Sequence, residues 1–101
     1  MNATYKEIGG ARVGLLNASW PFASLSATPD EIVISVLGLK DRFPRSAIEL
    51  SRRQGILSVG LRVTRTVGDK SSITFWTFDF GNLKQRLEAM GYEVADSSGG
   101  S

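Results

Sequence analysis

The sequence predicts a mainly β fold of the α+β class, a sandwich or open barrel of about seven antiparallel strands capped by one C-terminal α-helix. Three observations carry this expectation. Apolar and polar residues alternate at period two over most of the chain. Gly, Pro and Asp clusters interrupt these runs with turn chemistry. After Phe80 the period changes, and Leu83, Leu87 and Met90 fall on one helical stripe. The 101 residues suffice for one domain with a modest core and are too few for two.

Residues 1–10 are mixed, end in Gly9-Gly10, and read as a flexible lead-in to a domain over 11–94. Val13, Leu15 and Asn17 alternate with Arg12, Gly14 and Leu16 in a first strand. Trp20-Pro21 is expected to break it, because proline has no N–H to donate to a ladder. A short strand resumes over 22–27, and Thr28-Pro29-Asp30-Glu31 supplies a turn. The β-branched run 32–37 is the clearest strand, with Ile32, Ile34 and Val36 on one face. Gly38-Leu39-Lys40-Asp41 reads as the next turn, and a short segment around Arg42-Phe43 precedes Pro44. Residues 46–53 suit either a helical turn or a strand. Flanking strands favour the strand, with Ile48 and Leu50 inward.

Over 56–67, Leu57, Val59, Leu61 and Val63 face one way, and the loop 68–71 turns the chain into a strand over 72–78. That strand has apolar residues on both faces, which suggests a covered strand or a bulge. In the final helix Asn82 reads as the N-cap, with Gln85 completing a capping box. Gly91 is placed to stop the helix in the left-handed conformation, and Tyr92 and Val94 to pack back on the sheet. Residues 95–101, rich in Ser and Gly, form a disordered tail.

Composition narrows the function classes. There is no His and no Cys, so the commonest general base, the thiol nucleophile and the best zinc ligands are all missing. The acids Asp30, Glu31, Asp41, Asp69 and Asp79 sit mainly in turns, where capping accounts for them. The expectation is a protein that is not an enzyme and has no metal and no cofactor. Absence of cysteine points to a reducing cytoplasm. Residues 1–10 carry Lys6 and Glu7 and lack the apolar core of a secretory signal, and no run is long enough to form a transmembrane segment.

Two groups of side chains are candidates for binding. Lys40, Arg42, Arg45, Arg52 and Arg53 flank two expected turns and would make an anionic-ligand patch if those turns met at one sheet edge. The plainer reading is a solvated face, since Asp41 and Glu49 lie close by and the formal net charge is only +2. Trp20, Phe22, Phe43, Phe75, Trp76, Phe78 and Phe80 would serve single-stranded nucleic acid only if they faced solvent, interleaved with basic residues. The stretch 75–80 lacks Lys and Arg, so core packing accounts for them better and nucleic acid is the weakest of the expected partners. Trp76 is set apart as an interaction anchor because it breaks phase with Ile73 and Phe75.

The run Ala18-Ser19-Trp20-Pro21-Phe22-Ala23-Ser24-Leu25, the segment Phe43-Pro44-Arg45-Ser46-Ala47-Ile48, the strand Ile73-Thr74-Phe75-Trp76 and the ending Leu87-Glu88-Ala89-Met90-Gly91-Tyr92 together resemble the pleckstrin-homology-like (PH-like) superfold. More narrowly, they resemble small bacterial PH-like proteins of unassigned function. The resemblance implies two antiparallel sheets with an open corner plugged by the helix, and a binding or interaction module. A protein or peptide partner is the first expectation, received at a sheet edge or in a groove beside the helix. Peripheral binding to anionic lipid is the alternative, and a homo-oligomer through a sheet edge is a further one. Phosphoinositide-binding members carry a basic motif between their first two strands. Here that loop is read at Trp20-Pro21, without Lys or Arg, so lipid binding at that site does not carry over.

Overall fold

The structure is a computed structural model, and it describes residues 4–13, 16–54, 59–68 and 71–95. Along the chain come β1 (Tyr5–Val13), β2 (Leu16–Ala27), β3 (Glu31–Val36) and β4 (Leu39–Pro44). A 3-10 turn (Arg45–Ala47) leads into β5 (Ile48–Gln54), β6 (Val59–Arg65), β7 (Ser72–Thr77), α1 (Phe80–Ala89) and β8 (Val94–Ala95). Among the described residues these strands form one sheet, ordered β4-β3-β2-β1-β7-β6-β5-β8. All neighbours are antiparallel except β5 and β8. The expected facing of Leu15 and Leu57, the centre of the 68–71 loop and residues 96–101 of the expected tail lie outside the described residues, whereas Ala95, expected in that tail, pairs with Ser51 in β8.

The β-rich class with a closing helix holds, and period two sets the buried face. Ile32, Ile34 and Val36 alternate inward on β3, as Ile73, Phe75 and Thr77 do on β7. Residues 46–53 divide between the 3-10 turn and β5, on which Leu50 is buried. The turn expected over 38–41 is tighter. Leu37 and Gly38 both have positive φ, 53° and 87°, so Leu39, Lys40 and Asp41 already belong to β4.

Four expectations are corrected. Residues 5–10 are not a flexible lead-in but the first part of β1, which lies between β2 and β7 in the sheet. Gly9 and Gly10 are buried there because neighbours approach too closely for a side chain. A β-carbon on Gly10 would lie 2.8 Å from the Ala18 carbonyl oxygen. Trp20-Pro21 does not end a strand. The β1–β2 register passes from Ala11↔Ala18 to Gly9↔Ala23, so Ser19, Trp20, Pro21 and Phe22 bulge opposite Gly10, where proline is not asked for a ladder bond. The loop between the first two strands is therefore the junction between Val13 and Leu16, also free of Lys and Arg in sequence.

The two expected sheets are continuous through β1, because β1 pairs with β2 on one side and with β7 at Gly10, Ala11 and Arg12 on the other. The sheet curls until β4 meets β6. Arg65 on β6 donates to the Arg42 carbonyl at 2.8 Å and lies 4.6 Å from the Phe43 ring centroid. Finally, Asp79 caps the helix in place of Asn82, its carboxylate accepting from the Asn82 backbone N–H at 3.1 Å.

The helix closes the core. Leu83 and Leu87 are fully buried, and Met90 packs against them from its half-buried C-cap position. Gly91, at φ 98°, ends the helix. Its N–H donates to the Glu88 carbonyl, and the Tyr92 N–H donates to that of Leu87. Tyr92 then packs inward and donates its hydroxyl to the Thr28 carbonyl at 2.6 Å. No helix among the described residues is long and apolar enough to cross a membrane.

Candidate binding sites

Strand geometry separates the five cations proposed as one patch. Lys40 and Arg42 stand on the outer face of β4, where Arg42 pairs with Glu31 at 2.8 Å. Arg45 turns toward the helix end, donating to the carbonyls of Pro29, Met90 and Gly91 at 3.2, 3.3 and 3.0 Å. Arg52 and Arg53 are adjacent on β5 and so point to opposite faces. Arg52 reaches the Phe80 ring and donates to Gln54 at 2.7 Å, whereas Arg53 faces outward, paired across the strand with Gly60. Among the described residues, no hydrogen bond or ion pair joins the side chains of the β4 cations to those of β5.

The aromatic residues divide. Phe43 and Phe75 are in the core, but Trp20, Phe22 and Phe78 are 53%, 58% and 83% exposed, which corrects the expectation of core packing for these three. The bulge turns Trp20 and Phe22 outward, and Phe78 lies just past the end of β7. Trp20 and Phe78 meet edge to face, 6.1 Å between centroids. Together with Trp76 they wall a slot of about 280 Å³ floored by Gly10 and Ala18. Trp76 is half-buried on the outer face, paired with Gly10 on β1 and Gly60 on β6. A β-carbon on Gly60 would lie 2.8 Å from Trp76 Cε3, so glycine is what allows the indole to rest on the sheet.

A larger groove, about 1030 Å³, runs beside the end of α1. Ile48, Leu50, Tyr92 and Val94 give it an apolar floor, and Glu49, Glu88 and Glu93 an acidic rim. β8 covers the β5 edge only at Leu50 and Ser51.

Glu7 has a structural role beside the slot, through the slot-lining Thr77. Glu7 accepts from the Tyr5 hydroxyl at 2.7 Å and from the Thr77 hydroxyl, tying β1 to β7 beneath the helix start. Asn82 donates to the Tyr5 hydroxyl from α1 at 3.1 Å. Burial, reinforced by the Glu7 hydrogen bond and charge, pushes the Tyr5 hydroxyl up to about 12. Burial also raises Tyr92 to about 12, against the opposing charge of Arg45. Among the described residues no group of acids is arranged to hold a metal ion.

Two cations outside the expected anionic-ligand patch, Arg12 and Arg62, stand on the same outer face as Trp76. Their strands were legible, but the register that aligns them was not. In comparisons with known proteins, no family model matches the chain and no curated protein matches it.

Proposed function

We propose that this chain is a non-enzymatic, cytoplasmic recognition module with a PH-like fold, whose ligand is an extended protein segment seated between β5, β8 and the end of α1. The observation that carries this reading is the groove itself. It joins an apolar floor to a strand edge that β8 covers for only two residues. An incoming strand would add main-chain hydrogen bonds to β5 and set alternate side chains on Ile48, Leu50 and Val94. The PH-like part of the reading draws support from the strand order and from the single helix after the last antiparallel strand.

Charge suggests the sequence of the ligand. Glu49, Glu88 and Glu93 rim the groove, and its one cation, Arg45, is engaged with backbone carbonyls. A peptide with an apolar centre and Lys or Arg at its flanks fits that rim. A peptide array followed by amide chemical-shift mapping tests this. The expected binders have that composition, shift the amides of Ile48, Leu50, Tyr92 and Val94, and weaken several-fold in a Glu88→Lys, Glu93→Lys double variant. An array without binders, or shifts confined to other residues, overturns the reading.

A further inference from the structure

The outer face of β1, β7, β6 and β5 carries a second pattern, which borders the peptide groove at Glu49, Ser51 and Thr64. Cross-strand pairing builds it in rows. One row runs Gly10, Trp76, Gly60, Arg53, and the next runs Arg12, Thr74, Arg62, Ser51. Directly paired residues share a face, so Arg12 and Arg62 both stand diagonal to Trp76, on the strands either side of it. Strand spacing places them roughly 10 Å apart. Among the described residues, Arg12, Arg53 and Arg62 have no ion pair and no hydrogen-bonded side-chain partner. A third row contributes Ser72, Thr64 and the single acid Glu49.

We propose that this face binds single-stranded nucleic acid, with a base in the slot between Trp20 and Trp76 and the phosphates on Arg12, Arg62 and Arg53. Three arguments favour that ligand. The slot is walled by three aromatic rings and floored by Gly10 and Ala18, which suits a flat ring that stacks. The neighbouring guanidiniums are unneutralised and have the donor geometry that phosphate oxygens accept. On β6 and β5 the outward side chains, Arg62, Thr64, Arg53, Ser51 and Glu49, are all polar or charged, so away from the aromatic slot and Ile8 a bilayer would gain charge attraction without insertion. A duplex keeps its bases stacked away from such a slot, which restricts the ligand to unpaired strands. The requirement for aromatics on the solvent face beside basic residues, which the sequence did not meet, is met once Trp20 and Phe78 turn outward and the strands come into register.

The chain has two tryptophans and both line the slot, so intrinsic fluorescence reports on it directly. The test titrates the protein with a short single-stranded oligothymidylate, with polyglutamate, and with vesicles of mixed phosphatidylcholine and phosphatidylserine. The oligonucleotide is expected to quench the emission, with log affinity falling against log salt at a slope of about −2 for three single-strand phosphate contacts. Arg12→Gln and Arg62→Gln are each expected to reduce that slope by about 0.7, whereas Lys84→Gln on the helix leaves it unchanged. Thermal melts of each variant show that the fold is intact. No quenching at low salt overturns the proposal. Equal quenching by polyglutamate also overturns it, by showing a surface that any polyanion satisfies. Vesicle binding stronger than oligonucleotide binding assigns the face to membranes and overturns it as well.

Discussion

Arg45 donates from Nη2 to the Gly91 carbonyl oxygen at 3.0 Å, through space that a β-carbon on residue 91 would fill. The helix end, the 3-10 turn and the Pro29 loop are thereby joined by one guanidinium, which also lies 5.5 Å from the Tyr92 ring centroid. Gly91→Ala therefore meets two penalties. Left-handed strain alone costs about 1–2 kcal/mol, and the methyl group collides with Arg45. Urea unfolding of Gly91→Ala, Arg45→Ala and the double variant is expected to show a double-variant loss smaller than the sum of the singles.

Leu87 is fully buried where the helix meets the sheet. Its truncation to Ala is expected to cost about 2–5 kcal/mol, through lost transfer energy and the cavity left behind. A thermal midpoint close to that of the parent protein would contradict the plug role of α1.

The helix start gives a sharper test. Asp79→Ala removes the carboxylate that accepts from the Asn82 N–H and is expected to cost about 1 kcal/mol. Gln85, exposed on the helix, is expected to be replaceable by Ala within about 0.5 kcal/mol. Chemical denaturation of both variants distinguishes the Asp79 cap from a capping box at Asn82.

Gly60→Ala places a methyl group 2.8 Å from Trp76 Cε3 and 2.9 Å from the Phe75 carbonyl oxygen. Overpacking of this kind costs about 1–3 kcal/mol. The tryptophan emission maximum is expected to shift along with the loss of stability, because the indole must lift from the sheet. An unchanged spectrum would show that the side chain does not rest on Gly60.

The tyrosines predict an alkaline limb. Tyr5 and Tyr92 both have folded-state hydroxyls raised to about 12 from 10.0. The unfolded chain therefore releases these protons first as pH rises, which lowers its free energy relative to the folded state. Their contribution is fully present below pH 10 and erodes between about 10 and 12. Denaturation midpoints measured up that range are expected to fall. Tyr92→Phe is expected to be less stable at neutral pH, having lost its bond to the Thr28 carbonyl, and to show a shallower alkaline fall.

Much of the fold was legible because burial follows local period. Ile32, Ile34 and Val36, the pair Ile73 and Phe75, and the stripe through Leu83 and Leu87 declare their faces without reference to any partner. Errors arose where a residue's local preference yields to its neighbours. Pro21 looked like a strand break because proline lacks a donor, yet a bulge opposite Gly10 needs none there. Gly9-Gly10 looked like a loose end, although close packing against Phe75, Trp76 and Ala18 is what calls for glycine. Asn82 and Asp79 are both good caps by type, and only the chain path selects between them.

The sequence by itself determined a β-rich chain with one amphipathic helix at its end, and a chemistry without histidine or cysteine, because period and residue type are properties of a segment. Tertiary structure decided which side chains meet. It engaged Arg42, Arg45 and Arg52 with separate partners, exposed Trp20 and Phe78, and brought Arg12 and Arg62 to either side of Trp76. The physical reason is register: pairing between strands distant in the chain sets which residues stand side by side, and a shift of one position would send each to the opposite face.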